Sequence, residues 1–136
     1  MGKRHTGRKI AMQVLYQVDL RKKDLNEVAL AYFENLKVLD ETKVFALKLT
    51  EQTWQNRDKI DGMITDYATG WDLNRISLVD KAILRLAFFE LLDRETSHRI
   101  VIDEALELAK HYSTESSSRF INGILGNYVK DQCLQD

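Results

Sequence analysis

The 136-residue chain has no proline, a single cysteine and only three histidines. The lone cysteine, Cys133, excludes an internal disulfide framework and is typical of a protein in the reducing cytoplasm. The histidines are scattered and do not match the spacing of zinc ligands. No Gly-x-Ser-x-Gly, Gly-x-Gly-x-x-Gly or phosphate-loop motif occurs. The sequence therefore predicts no metal site, no cofactor and no catalytic activity.

Long apolar runs are missing as well. No stretch approaches the roughly 20 apolar residues that cross a bilayer, and no apolar segment follows the basic N-terminus as a secretion signal requires. Hydrophobic residues nevertheless make up 44% of the chain and charged residues 30%, a balance typical of folded globular proteins. We therefore expect a folded protein that has no contact with a membrane.

The net charge of −1 hides an asymmetry along the chain. Residues 1–23 contain seven Lys or Arg residues and one acid, Asp19, so the remaining chain is net acidic. A basic end on an acidic body indicates an anionic partner for that end, although a solvated tail explains the charge equally well. Arg4 and Arg8 lie near the start of a predicted helix, where cations oppose the helix dipole, and this favours an anion arriving from outside.

Residues 77–92 predict the central element of the fold. Ser77 and Asp80 form a variant of the capping box that begins a helix. The apolar residues that follow occupy nearly every direction around a helical wheel, which is typical of a helix buried by neighbours on several sides. The charged residues that interrupt this apolar surface are Asp80, Lys81, Arg85 and Glu90. We expect Asp80 to be exposed and Arg85 to pair with an acid inside the fold.

Apolar spacing predicts helices before and after this central element. The run Ile100–Ile102 resembles a short strand, but the spacing that follows it favours a helix. Asn122-Gly123 is a hairpin signal between apolar pairs, whereas the single apolar face around it favours a helix, in which Gly123 would allow the central helix to approach closely. The predicted helices cover about residues 8–21, 25–37, 40–68, 77–92, 101–112 and the segment after a loop at 113–118.

These six helices predict an all-α fold of two three-helix bundles that share a core around the buried central helix. We expect one domain, 1–136, with helical subdomains at about 1–70 and 71–136.

Three segments in this order resemble the NusB family of bacterial transcription antitermination factors. They are residues 3–17 (KRHTGRKIAMQVLYQ), residues 80–91 (DKAILRLAFFEL), and residues 102–112 with 120–125 (IDEALELAKHY and FINGIL). The resemblance implies the same all-helical fold and no catalysis. It also implies binding to the boxA element of nascent ribosomal RNA together with the ribosomal protein NusE, in a complex of RNA polymerase and other Nus factors that suppresses premature termination.

The resemblance further implies two sets of contact residues. The RNA set combines the basic N-terminal region with the start of the last helix, and cations there would hold phosphates while other side chains stack on bases or bond to their edges. The NusE set lies on the first helix and around the start of the central one. The RNA set is Lys3, Arg4, His5, Arg8, Lys9, Ser116, Ser117, Arg119, Phe120 and Asn122, and the NusE set is Tyr16, Leu20, Asn74 and Asp80.

Some of these assignments remain open. Tyr16 and Phe120 lie in or beside apolar helical stripes, so each is either a core aromatic or a partner contact, and Asn122 is either a base contact or a buried polar residue. Ser116 stands where some family members carry an acid that touches RNA. His5 and Thr6 dilute the family's arginine run, which predicts weaker or more salt-sensitive RNA binding.

Two other functions are compatible with a helical domain of this kind. The same fold occurs fused to the catalytic domain of ribosomal RNA methyltransferases, but this chain has no nucleotide-binding βαβ unit. A purely protein-binding module is the other alternative. Some members of the family also self-associate and cover the RNA surface, so a homodimer is a further possible partner state.

Overall fold

A computed structural model of the chain describes residues 2–134, and these residues form helices only. The predicted all-α fold is therefore confirmed, but the described residues contain seven α-helices instead of six. In chain order they are α1 (Gly2–Arg21), α2 (Leu25–Glu34), α3 (Asp40–Gln55), α4 (Arg57–Tyr67), a 3₁₀ turn (Leu73–Arg75), α5 (Leu78–Asp93), α6 (His98–Tyr112) and α7 (Glu115–Asp131).

The additional helix arises from a break at Asn56, within the long helix predicted at 40–68. The Asn56 side chain donates a 2.8 Å hydrogen bond to the carbonyl of Gln52 and so ends α3 from within. Asparagine competes with the helix for backbone partners in this way, which is why it favours helix ends. The first helix also differs from its prediction, because it begins at Gly2 and not at residue 8.

Side-chain caps fix where several helices begin. Ser77 accepts a hydrogen bond from the Asp80 amide before α5, as the sequence predicts, and Asp24 accepts one from the Asn26 amide before α2. Thr114 caps α7 by accepting a 3.0 Å hydrogen bond from the Ser117 amide. The serines expected in a loop at 113–118 therefore lie largely in the first turn of α7.

Helix α5 is the centre of the fold and contacts α1, α3, α4, α6 and α7. Every residue from Ala82 to Leu91 is buried, so the predicted central helix is confirmed. A second, smaller cluster joins α1, α2 and α3. Its buried members are Ile10, Val14, Val18, Val28, Ala29 and Ala46. Helix α1 contributes to both clusters and thus connects the outer helices to the centre.

Three charged residues of α5 are buried, and each is paired with a different part of the fold. Arg85 donates two 2.8 Å hydrogen bonds to Asp61 of α4 and one of 2.8 Å to Asp19 of α1, which confirms the predicted internal ion pair. Asp80, which we expected to be exposed, is only 6% exposed. Its oxygens lie 2.8 Å from the Ser113 hydroxyl and 2.7 Å from the Ser117 hydroxyl. Buried charges need partners of this kind to offset their desolvation.

The segment around Asn122 and Gly123 is helical, as predicted, but the expected close approach at Gly123 is wrong. Gly123 is exposed, and a Cβ added there would meet no atom within 4 Å. The close approach occurs at Gly7 of α1, where an added Cβ would lie 2.3 Å from Cδ2 of Phe45 in α3. Within residues 2–134, no helix combines the length and the apolar character needed to cross a membrane.

Candidate nucleic-acid interface

The cations at the start of α1 are largely balanced by acids from other helices. The Lys3 ammonium lies 3.0 Å from Glu41 of α3, and His5 Nδ1 lies 3.0 Å from Glu104 of α6. Acids of the same protein therefore lie beside these two side chains, so an external anion is not needed to explain their position at a helix start. Lys9, the neighbour of the buried Arg8, is exposed.

Arg8 lies in the interior and not on the surface, with 4% of its area exposed. Its Nε donates to both carboxylate oxygens of Glu90 at 3.0 and 2.9 Å, and its Nη1 donates to Glu104 at 3.2 Å. Burial alone lowers the pKa of the guanidinium, but the two carboxylates outweigh this effect and raise the pKa of Arg8. Burial also raises the pKa of Glu90, and the opposing influence of Arg8 does not cancel that rise. Arg8 thus joins α1 to α5 and α6.

Arg4 is the exposed arginine of this end. Its guanidinium lies 4.6 Å from the centre of the Phe45 ring, a distance at which a cation is attracted to an aromatic face. Two recesses, of about 760 and 560 Å³, are both lined by Arg4, the first with Val44 and Phe45 and the second with Asp103. The ring therefore holds a charged side chain in place between two concave surfaces.

A second group of predicted site residues lies at the start of α7. Ser116, Arg119 and Asn122 lie on this helix, and Asn122 is exposed, so it is not a buried polar residue. Arg119 makes a 3.3 Å contact with Glu115 at the surface, and such exposed pairs hold a side chain weakly. Ser117, in contrast, is directed inward and bonds to Asp80.

Phe120 is partly buried against the core and also contacts an aromatic residue that sequence reasoning did not select. The ring centres of Phe120 and Trp71 are 5.2 Å apart, with the planes tilted by 58°. Trp71 is 49% exposed, which is unusual for a side chain of its size. The available sequence signal was a tryptophan within the polar connector between α4 and α5.

The structure does not bring the two groups of site residues into contact. Arg8 pairs with Glu90 at one end of α5, while Ser117 bonds to Asp80 near the other end. The rise along the helix from Asp80 to Glu90 is about 15 Å, at 1.5 Å per residue. A ligand that touches both groups must therefore be extended.

The residues implied in NusE binding differ in their accessibility. Leu20, near the end of α1, is 49% exposed, and Asn74 in the 3₁₀ turn is also exposed. Tyr16 is partly buried against the central core, so it has both a core contact and an accessible edge. Asp80 is buried beneath the start of α7. Among residues 2–134, no cluster of three or more His, Cys, Asp or Glu side chains is arranged to hold a metal ion.

Comparisons with known proteins agree on one family over nearly the whole chain. The sequence profile of the NusB family matches residues 5–130. The transcription antitermination protein NusB of Acetivibrio thermocellus is 41% identical over 131 residues, which cover 96% of this chain and 90% of that protein.

Solved structures give the same result. The structure of T. maritima NusB matches with a TM-score of 0.85 and 36% identity, covering 94% of this chain and 91% of that one. A chain in the crystal structure of antitermination factors NusB and NusE in complex with dsRNA matches with a TM-score of 0.86 and 28% identity, covering 96% and 98%. The resemblance noted in the sequence is confirmed, and the chain belongs to the NusB family of transcription antitermination proteins.

Proposed function

We propose that this protein binds single-stranded boxA RNA of nascent ribosomal RNA transcripts together with NusE, and that it performs no catalysis. The complex joins RNA polymerase and other Nus factors in the cytoplasm and suppresses premature termination. The observation that carries this proposal is the pair of accessible polar groups at the two ends of α5. These groups are anchored at Glu90 and Asp80 of α5, and the helix rises about 15 Å between those two residues, the length of about four stacked nucleotides at 3.4 Å each.

Each predicted RNA residue of the basic end has a role that fits its position. Lys3, Arg4 and Lys9 supply cationic contacts to phosphates at the start of α1, where Arg4 is already held by the Phe45 ring, and His5 supplies a hydrogen-bonding ring beside them. Arg8 supports this surface from below, because its charge is compensated by Glu90 and Glu104.

The second group supplies contacts that depend on the base. Ser116 and Asn122 present hydrogen-bonding groups to base edges, Arg119 reaches a phosphate, and Phe120 offers part of its ring. Ser117 acts through its hydrogen bond to Asp80, which fixes the start of α7 against α5.

NusE binding is assigned to side chains of α1 and of the 3₁₀ turn before α5. Leu20 and Asn74 are exposed, and Tyr16 has an accessible edge, so these three side chains can contact a partner directly. Asp80 is buried and supports this surface by holding the start of α7 in place.

Binding to a labelled boxA strand, with and without NusE, tests the proposal. Affinities are compared with those for a scrambled strand and a duplex of the same length across a salt series. We expect the boxA strand to bind most tightly when NusE is present. Equal affinity for the scrambled strand in the presence of NusE would contradict the proposal.

The double variant Arg4→Gln with Lys9→Gln tests the basic end. We expect weaker binding and a salt dependence reduced by about 0.7 in slope for each phosphate that is no longer neutralised, the value for single strands. Lys59→Gln with Lys130→Gln is the matched control, since it removes the same charge from exposed residues of α4 and α7 that lie outside both groups. If the control weakens binding equally, the effect reflects net charge and not a contact surface.

A further inference from the structure

Trp71 is a large aromatic side chain that the fold leaves half exposed beside the second group of polar residues. The indole packs against Phe120 on one part of its surface, with 49% of the residue still accessible to solvent. An aromatic side chain stabilises a fold through the apolar area that it buries, and about half of the Trp71 surface stays unburied. The accessible ring is thus a surface for a ligand with an apolar, planar face.

The aromatic pair lies between two recesses of the protein surface. Trp71 and Phe120 line both of them, one of about 270 Å³ and the other of about 290 Å³. The smaller recess adds Arg75, Ser77 and Ser116, and the larger adds Arg119 and Asn127. A planar group that enters the smaller recess would meet an indole on one side and hydroxyl groups at its edge.

The charges around the indole favour a nucleic acid over an apolar peptide. Arg75 borders one recess and Arg119 the other, and both arginines are exposed. Asp80 also lines the smaller recess, but it is buried and accepts hydrogen bonds from Ser113 and Ser117. A nucleotide presents a flat base for stacking and a phosphate for an arginine, so it matches this combination of groups. Single-stranded bases are accessible for such contacts, whereas bases within a duplex are already stacked on their neighbours.

We infer that Trp71 is a base-stacking residue and that the recess formed with Arg75 and Ser116 receives one unpaired nucleobase of the bound RNA. This inference rests on the proposed RNA-binding function and adds a contact to it. The indole supplies the stacking surface, the Ser116 hydroxyl meets the base edge, and Arg75 contacts the adjoining phosphate. Trp71 keeps its contact with Phe120 in this arrangement.

The test compares Trp71→Ala and Trp71→Phe with the unaltered protein in binding to the boxA strand. We expect Trp71→Ala to weaken RNA binding by about 5- to 160-fold, the range that alanine substitution gives for a stacked base. Trp71→Phe should stay within about threefold because it keeps an aromatic ring. Neither variant should change the salt dependence, since both keep every cation.

Two further measurements locate the contact on the indole itself. The chain has two tryptophans, and RNA binding should quench emission in the unaltered protein but not in Trp71→Phe, where only Trp54 emits. In a second series, one abasic nucleotide is placed at successive positions of the strand. At one of these positions it should weaken binding by the unaltered protein but leave binding by Trp71→Ala unchanged. The emission readout decides the question even if Trp71→Ala folds poorly.

The alternative results are distinct. Unchanged RNA affinity in both variants and unchanged emission on RNA binding would overturn the stacking role while leaving RNA binding intact. Loss of NusE affinity in Trp71→Ala, with RNA binding by the protein alone unaffected, would overturn it in favour of a protein contact. If the unaltered protein binds no RNA with or without NusE, both the proposed function and this inference fail.

Discussion

Gly7 and Gly123 both lie inside helices, yet their surroundings give them opposite consequences for stability. Glycine in a helix interior is normally less favourable than alanine by about 1 kcal/mol. At Gly123 nothing opposes the gain from a methyl group, whereas at Gly7 the Phe45 ring occupies the position of the methyl group. That ring is also covered by the guanidinium groups of Arg4 and Arg8, at 4.6 and 5.7 Å from its centre, so it has little freedom to move.

Gly7→Ala should therefore lower the free energy of unfolding by about 1–3 kcal/mol, as other overpacking substitutions do. Gly123→Ala, the matched control, should raise it by about 0.5–1 kcal/mol through helix propensity. Urea unfolding followed by circular dichroism measures both values. A stabilising Gly7→Ala would show that Phe45 moves aside easily and that the two helices do not depend on this close contact.

At the scale of elements, one buried ion pair joins α1 to α5. The Arg8 and Glu90 side chains are 5% and 7% exposed and share two hydrogen bonds. Removing one member of such a pair leaves a buried charge without its partner, which costs about 3–5 kcal/mol, whereas replacing both by apolar residues is often nearly neutral. We expect Arg8→Met to be strongly destabilising and Arg8→Met with Glu90→Met to recover most of the loss, as urea unfolding of the two variants would measure.

The difference in unfolding free energy between these two variants should depend on pH. Burial raises the pKa of Glu90 in the folded protein, and loss of Arg8 removes the charge that opposes this rise. An acid with a raised folded pKa contributes most to stability below its unfolded pKa and loses that contribution as pH rises through the folded value. The difference in unfolding free energy should therefore be largest at neutral pH and should decrease as pH falls toward about 4.3, the ordinary pKa of Glu. A gap independent of pH would mean that Glu90 is already hydrated in Arg8→Met.

The sequence predicts elements well where local chemistry is decisive. Ser77 and Asp24 mark helix starts because their caps involve only neighbouring residues. It predicts less well where a side chain has two suitable environments. Arg8 is spaced with Met12 and Leu15 on the buried face of α1, a pattern that indicates burial, whereas its charge indicates the surface. Only the distant acids Glu90 and Glu104 decide between the two environments.

The same limit applies to Asp80 and to the break at Asn56. A helix apolar on nearly all sides buries its acids as well, so the exposure expected for Asp80 conflicts with the burial predicted for α5. Its partners, Ser113 and Ser117, lie more than thirty residues away in the chain and cannot be identified from local spacing. The break at Asn56 has no proline or glycine to mark it, and a polar residue at that position is also compatible with an exposed helix surface.

At the scale of the whole molecule, the position of the two polar groups at opposite ends of α5 makes a quantitative prediction. Arg4 and Arg119 belong to different groups, with Arg4 held by Phe45 and Arg119 by Glu115. Substitutions at separated sites without shared partners add within about 0.3–0.5 kcal/mol. If one RNA strand touches both ends of α5, a substitution at one end should lower its affinity independently of a substitution at the other.

Arg4→Gln and Arg119→Gln should each weaken binding to the boxA strand, and the double variant should show the product of the two losses within about twofold. Each substitution should also reduce the salt slope by about 0.7. Titrations of the four proteins against one labelled strand, in the presence of NusE, provide all the required constants. A double variant that loses far more affinity than the product of the two single losses would mean that the RNA engages only one end at a time, because each single variant would still bind through its intact end. In that case the ribonucleotide chain would not extend along α5, and the two groups would be alternative sites.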